Sequence, residues 1–196
     1  MFRIKKIPLN QQSDEELFNA MCKGISEAFS ELYNRYNKRM LYYFYRMLGN
    51  DRQLSQDFLQ ELFYKIIEKP FLFDPKRKFS TWIFSVAHNM CKNEYRSKEV
   101  RKIMVRNEST DNYFENEPDL NCKEKIIEAI FEELEAFDES HKTAFLLKYR
   151  EGFSIEQIGE TLNLPFGTIK SRLFYTRKKL QEILNSKYSE TIENSF

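Results

Sequence analysis

The stretch that decides the fold is Phe153–Leu180, FSIEQIGETLNLPFGTIKSRLFYTRKKL. Ser154 can cap a helix, and Gln157 three residues on completes a capping box. Phe153 and Ile158 are spaced as a hydrophobic staple. Ile155, Ile158 and Leu162 mark one apolar face. Asn163 suits the left-handed residue that closes a helix, and Pro165 can open the next. Ile169, Leu173, Leu180 and Leu184 then give a second helix its buried stripe. The pattern predicts two short helices joined by a tight turn. The second carries Lys170, Arg172, Arg177, Lys178 and Lys179, which makes a helix-turn-helix with a basic reading helix.

An α-helix fits the major groove, where base edges carry distinguishable donor and acceptor patterns. Thr168, Lys170 and Ser171 fall in the first turn of the second helix, near free N–H groups that favour a phosphate. Lys170 then meets either a base edge or the backbone. Phe174 lies one residue off the apolar stripe and four after Lys170. It either faces outward to touch a thymine methyl or widens the core. A plain helical hairpin with a solvated basic face is the bland alternative. Capping, turn, stripe and charge all speak against it.

Outward from this stretch, the charge runs in blocks. The net charge of +1 averages over them. Nine Lys/Arg against two Glu lie between Lys76 and Arg106, and twelve acids against two Lys lie between Glu108 and Glu139. Nine Lys/Arg against four Glu follow from Lys142 to Lys187. Two basic modules around an acidic stretch suggest two nucleic-acid contacts. Glycine and proline are scarce at five each, which favours helices. Cys22, Cys91 and Cys122 are scattered and odd in number, so a reducing compartment fits better than a disulfide framework. His88 and Cys91 lie three apart without further ligand pairs, so packing is expected there and no metal or cofactor is. No segment approaches the roughly 18 apolar residues of a membrane helix. The chain reads as a soluble cytoplasmic protein.

Upstream, Ser13 with Glu16 is another capping box, opening a short helix to about Met21. Phe29, Leu32, Tyr33, Tyr36, Met40, Tyr43, Phe44 and Leu48 recur at helical spacing until Gly49-Asn50-Asp51 interrupts. A helix over Gln53–Glu68 sets Phe58, Leu62, Phe63, Ile66 and Ile67 on one face and Asp57, Gln60 and Glu61 on another. The Asp57/Glu61 pair has no nucleophile, metal ligand or phosphate loop near it, so a catalytic role is not expected, and a solvated acidic face is the ordinary alternative. Residues 71–79 read as a loop, and Ser80 as the cap of a helix to about Arg101. In that helix Ile83, Val86, Ala87 and Met90 pack inward, while Lys92, Asn93, Arg96 and Lys98 face out. Basic groups interleaved with aromatics suit single-stranded DNA, on whose bases the rings stack. Trp82 is assigned to the core. Ile127, Ile130, Phe131 and Leu134, then Phe145, Leu146 and Tyr149, give two helices that support the helix-turn-helix.

Ser154-Ile155-Glu156-Gln157-Ile158-Gly159 followed by Pro165–Leu173 resembles region 4 of a bacterial sigma factor. DFLQELFYKI is similar to the D-x-x-Q-E-x-F pattern of region 2 in the extracytoplasmic-function (ECF) group of the sigma-70 family. FSTWIFSVAHNMCKNEYR resembles the part of region 2 that recognises and melts the −10 element, at Phe79, Trp82, Ala87, Asn89 and Arg96. The resemblance covers roughly Phe29–Leu184. It implies an all-α chain of two small helical domains joined by an acidic flexible linker: an extension at 1–12, region 2 at 13–104, a linker at 105–122, region 4 at 123–185 and a tail at 186–196. The linker's acidity could also mimic nucleic acid inside a polymerase channel.

By the same resemblance, Asp57, Gln60 and Glu61 dock on the clamp helices of the polymerase β′ subunit, and region 4 meets the β flap. Lys76, Arg77, Lys78, Phe79, Asn89, Lys92, Asn93 and Arg96 bind and melt single-stranded −10 DNA, the loop before the helix catching a base flipped from the non-template strand. Thr168, Lys170, Ser171, Arg172, Phe174, Tyr175, Arg177 and Lys178 read the −35 duplex. No catalytic residue or cofactor is implied. The family often has a membrane-bound anti-sigma factor as partner, although no residue here marks one. The departures are Gly159 where alanine is commoner, Asn163 where glycine is usual, and Pro165-Phe166 at the start of the reading helix. A stand-alone helix-turn-helix regulator is the alternative; it leaves the DFLQE face and the aromatic basic helix unexplained.

Overall fold

A computed structural model describes residues 7–104 and 122–193. Among these residues the chain forms eight α-helices and two 3-10 turns, with no strand. Contacts divide it into two compact units, Met1–Cys91 and Lys92–Phe196. The acidic stretch read as a linker, but for Cys122, lies outside the described residues, as does the end of the tail.

In the first unit, α1 (Asp14–Cys22) opens with the expected capping box: Ser13 Oγ accepts the Glu16 N–H and Glu16 Oε2 accepts the Ser13 N–H. α2 (Ser26–Met47) buries Ala28, Leu32, Tyr36, Met40, Tyr43, Phe44 and Met47, a stripe at steps of three and four. Tyr33, expected inward, is 38% exposed and packs at the rim against Phe63. Gly49 and Asn50 both take positive φ, at 73° and 62°, which turns the chain sharply. Asp51 then caps α3 (Arg52–Glu68) through the Leu54 N–H. α3 buries Ser55, Leu59, Leu62, Phe63 and Ile66. Ile67, expected to join them, is 53% exposed because it sits about 100° further round the helix.

Pro70–Leu72 makes a 3-10 turn, and Phe73 dips back into the core before α4 (Phe79–Met104). Phe18, Phe73, Phe79 and Trp82 form one cluster of edge-on and tilted rings with centroids 4.8–5.7 Å apart. Trp82 is therefore core, as expected. Ser80 is not the cap of α4, since Phe79 is already helical. The Phe79 N–H donates instead to Glu15 Oε1 of α1 at 2.8 Å. A carboxylate from another helix does the work that the sequence pattern assigned to the nearest serine. His88 and Cys91 are both buried in the packing of α4.

Residues 8–12, grouped with the extension, are held to α2. Arg35 donates to the carbonyls of Gln12 and Asn10 at 3.0 and 3.1 Å, and pairs with Asp14 and Glu31 at 2.8 Å each. Asp14 also accepts from the Tyr36 hydroxyl. Burial, then that hydrogen bond and the Asp14 charge, hold the Tyr36 phenol well above its ordinary range.

The second unit takes in α4 from Lys92 on, with α5 (Cys122–Leu134), α6 (Glu139–Tyr149), α7 (Ile155–Leu162) and α8 (Phe166–Glu193). Its core is Ala129, Leu134, Ala144, Leu146, Leu147, Phe153, Ile158, Leu162, Ile169, Leu173 and Leu180. Ile127 and Tyr149, expected inward, are 43% and 53% exposed. The α8 stripe is completed by Thr176, which is buried; the side chain of Leu184 lies outside the description. α8 also runs on to Glu193, into the stretch read as a tail at 186–196. The capping box of Ser154 and Gln157 is present, and Asn163 closes α7 at φ 53°, ψ 49°. The helix-turn-helix is thus α7–α8, backed by α6.

Candidate nucleic-acid interface

Helical periodicity that buries Leu59, Leu62 and Ile66 of α3 sends Asp57, Gln60 and Glu61 to the opposite face, where all three are exposed. Gln53 Nε2 donates to Asp57 Oδ1 at 3.2 Å, and Lys65 pairs with Glu61 at 2.6 Å. These are exposed contacts that a partner can displace at little cost. The same face continues through Tyr64 and Ile67 to Phe71 and Leu72, exposed by 53–78%. The sequence reading missed this apolar extension because it placed Ile67 inside.

The loop between α3 and α4 is fixed at both ends by buried rings, Phe73 and Phe79. Between them Asp74 organises a turn: its Oδ1 accepts the Lys76 N–H at 3.0 Å and its carbonyl the Arg77 N–H at 2.9 Å. Lys76 and Lys78 are exposed and Arg77 half-buried. They line an open surface cavity of about 590 Å³ together with Asp14 and Glu15 of α1, Arg35 of α2 and Pro75. Phe79, expected among the DNA contacts, is 1% exposed. Its ring is locked against Phe18, Tyr36, Phe73 and Trp82, so it positions the loop and touches nothing outside. Further along α4, Asn89, Asn93 and Arg96 are exposed and Lys92 half-buried. Their spacing of three and four puts them on one helix face.

On α8, Lys170, Ser171, Phe174, Tyr175, Arg177 and Lys178 are exposed and Thr168 is half-buried. Phe174 and Tyr175, 52% and 64% exposed, stand edge to face with centroids 5.5 Å apart. Phe174 therefore faces outward, which settles the alternative that it widened the core. Ser171 Oγ donates to the Thr168 carbonyl at 3.0 Å, leaving its lone pairs outward. Arg172 departs from the expected set. It is half-buried, with Nη1 enclosed and 3.7 Å from Asp138, the residue that caps α6. Arg172 ties the reading helix to its support instead of projecting into a groove. Lys179 likewise lies over the Phe137 ring at 5.0 Å.

No group of three or more His, Cys, Asp or Glu among the described residues is placed to hold a metal ion, and none of the three faces pairs a nucleophile with a base. What they offer is cations, amides and outward aromatic rings.

Comparison with known proteins places both halves. Residues 32–101 match the family model for sigma-70 region 2, and residues 127–180 the model for sigma-70 region 4. The ECF RNA polymerase sigma factor SigW of Bacillus subtilis is 29% identical over 172 residues, covering 83% of this chain and 91% of that protein. The ECF RNA polymerase sigma-E factor of Escherichia coli is 26% identical over 180 residues, 87% and 93% of the two chains. Among solved structures, CnrH in complex with the cytosolic domain of CnrY superposes with a TM-score of 0.67 at 20% identity, covering 90% and 99% of the two chains. The sigma factor RpoE of Bartonella quintana, in complex with the anti-sigma factor NepR, gives 0.62 at 21% identity, covering 81% and 98%. At these identities the structural likeness is one of fold.

Proposed function

The chain belongs to the ECF group of the sigma-70 family of RNA polymerase sigma factors, and from that premise we propose how its residues divide the work. It binds core RNA polymerase, directs it to specific promoters and helps open the −10 region. Asp57, Gln60 and Glu61 form the polymerase-docking face, whose partner is a helix pair carrying arginines that can fork onto carboxylates. Lys76, Arg77 and Lys78 hold the non-template backbone over the cavity, and Asn89, Lys92, Asn93 and Arg96 continue the track along α4. Capture of an extruded base offsets an unstacking cost of a few kcal/mol, so opening needs no nucleotide hydrolysis. Thr168, Lys170, Ser171, Phe174, Tyr175, Arg177 and Lys178 read the −35 duplex, with Arg172 as a brace. The subunit itself catalyses nothing, and it works where polymerase does, in the cytoplasm. An anti-sigma factor is a further partner of the same reading.

The observation that carries this division is the placement of Asp57, Gln60 and Glu61. An exposed, weakly engaged acidic face on α3 suits a protein that must dock before it reads DNA, and a stand-alone regulator leaves it as plain solvated surface. The test is transcription from promoter fragments with purified chain and bacterial core polymerase. Specific starts that need both components support the reading. Duplex binding by the chain with no polymerase association would return it to the stand-alone regulator.

A further inference from the structure

Glu15 touches the −10 cavity in two ways. Its Oε1 accepts the Phe79 N–H at 2.8 Å, reaching across 64 positions of sequence to cap α4 at the end of the loop. Its other carboxylate oxygen has no hydrogen-bond partner among the described residues, and the side chain lines the 590 Å³ cavity. Neighbouring Asp14 is more fully engaged, since one of its oxygens accepts from Arg35 and the other from Tyr36. The cavity thus has lysines at its rim and one open carboxylate oxygen on its wall.

That arrangement suits a nucleotide, with the phosphates at the rim and the base inward. An ionised carboxylate only accepts hydrogen bonds. Cytosine, adenine and guanine each carry an exocyclic amine that can donate to it, whereas thymine presents carbonyls and a methyl group in the corresponding places. Thymine's one ring donor, N3–H, lies between two carbonyls, so a carboxylate oxygen that reaches it is set beside a carbonyl oxygen on either side, and thymine is the weaker partner.

We infer that Glu15 is a specificity-determining wall of the −10 cavity: one oxygen holds the loop by capping α4, and the other selects an extruded base with an exocyclic amine over thymine. The inference rests on the proposed reading that the loop between α3 and α4 receives a base.

Glu15→Gln separates the two roles, since the amide oxygen still accepts the Phe79 N–H while the amide nitrogen becomes a donor. Holoenzyme made with the full chain is titrated against fork-junction promoter fragments whose non-template −10 bases are changed one at a time to all four. 2-Aminopurine beside each position reports extrusion. At one extruded position the wild type should bind an amine-bearing base on the order of tenfold tighter than thymine. Glu15→Gln should shrink or invert that ratio with unchanged thermal stability. An unchanged ranking at every position in the variant overturns the inference. So does an equal loss for all four bases, which would leave Glu15 a prop for the loop. Absence of any 2-aminopurine signal in the wild type would instead overturn the base-capture reading itself.

Discussion

The carbonyl oxygen of Leu164 lies 2.9 Å from the point that a Cβ on Gly159 would occupy, and the Leu164 N–H donates to the Gly159 carbonyl at 2.9 Å. The turn after Asn163 is folded flat against α7, and the close approach of backbone to backbone is what requires glycine there. The commoner alanine of the resembling family does not fit this turn without a shift. Gly159→Ala should therefore destabilise the second unit by about 1–3 kcal/mol, even though alanine favours helix by about 1 kcal/mol. Thermal unfolding of the full chain measures this. An unchanged midpoint would mean that the turn relaxes freely.

The docking face admits a charge-reversal test with little structural cost. Asp57 and Glu61 are exposed, and their contacts to Gln53 and Lys65 are surface ones worth at most about 1 kcal/mol each. Asp57→Lys with Glu61→Lys should abolish binding to core polymerase while leaving the circular dichroism spectrum and melting temperature close to wild type. Normal holoenzyme assembly by the double variant would remove these residues from the interface.

Much of the fold was legible because local rules and tertiary packing agree. The capping boxes at Ser13 and Ser154, the left-handed Asn163 and the stripes of α2 and α8 all follow from short-range pattern. Two of the misses come from partners distant in sequence, and the others from local pattern. Ser80 looked like a cap, but Glu15 supplies the acceptor. Arg172 looked like one more cation of the reading helix, but Asp138 draws it inward. Ile67 and Tyr149 looked like core because their neighbours are, and a one-residue step turned them out. Thr176 went unnoticed because a polar residue breaks an apolar pattern even when it is buried.

The Asp138 junction gives a pH dependence with a definite sign. Burial raises this carboxyl, but the hydrogen bonds from the His141 N–H and ring, with the charges of His141 and Arg172, outweigh burial and hold it below its ordinary value. A depressed folded pKa means that the stabilisation is present above the unfolded value, near 4, and is lost as pH falls through the folded one. Asp138→Asn keeps a capping acceptor but should flatten the acid-side decline in thermal midpoint. Asp138 is half-exposed, so the difference should stay under about 1 kcal/mol. A decline as steep as in the wild type would place the acid-labile group elsewhere.

Arg172 and Lys170 should part company in DNA binding. Lys170 is exposed on the outer face of α8. Lys170→Ala should therefore lose about 1–3 kcal/mol at particular −35 bases if it makes a base contact. A loss uniform over sequences would make it a phosphate contact, with a shallower salt dependence. Arg172→Ala should lower thermal stability and weaken all duplexes alike, because it braces the helix against α6. Base-selective loss at Arg172 would mean that its pairing with Asp138 is exchanged for DNA on binding.

Phe174 permits the sharpest test of the proposed contact between α8 and the −35 duplex. Its ring is 52% exposed and held edge-on by Tyr175, an arrangement that fixes an apolar edge where a thymine methyl can meet it. Burying one methyl is worth about 0.8 kcal/mol. Replacing the contacted thymine by uracil should therefore cost the wild-type holoenzyme about fourfold in affinity, at one −35 position only. Phe174→Ala should cost a similar amount on the thymine duplex. On the uracil duplex it should cost almost nothing further, since the methyl and the ring are two halves of one contact. Additive losses would show that Phe174 and the thymine methyl act independently, and would leave the ring to a different partner, such as the surface of polymerase.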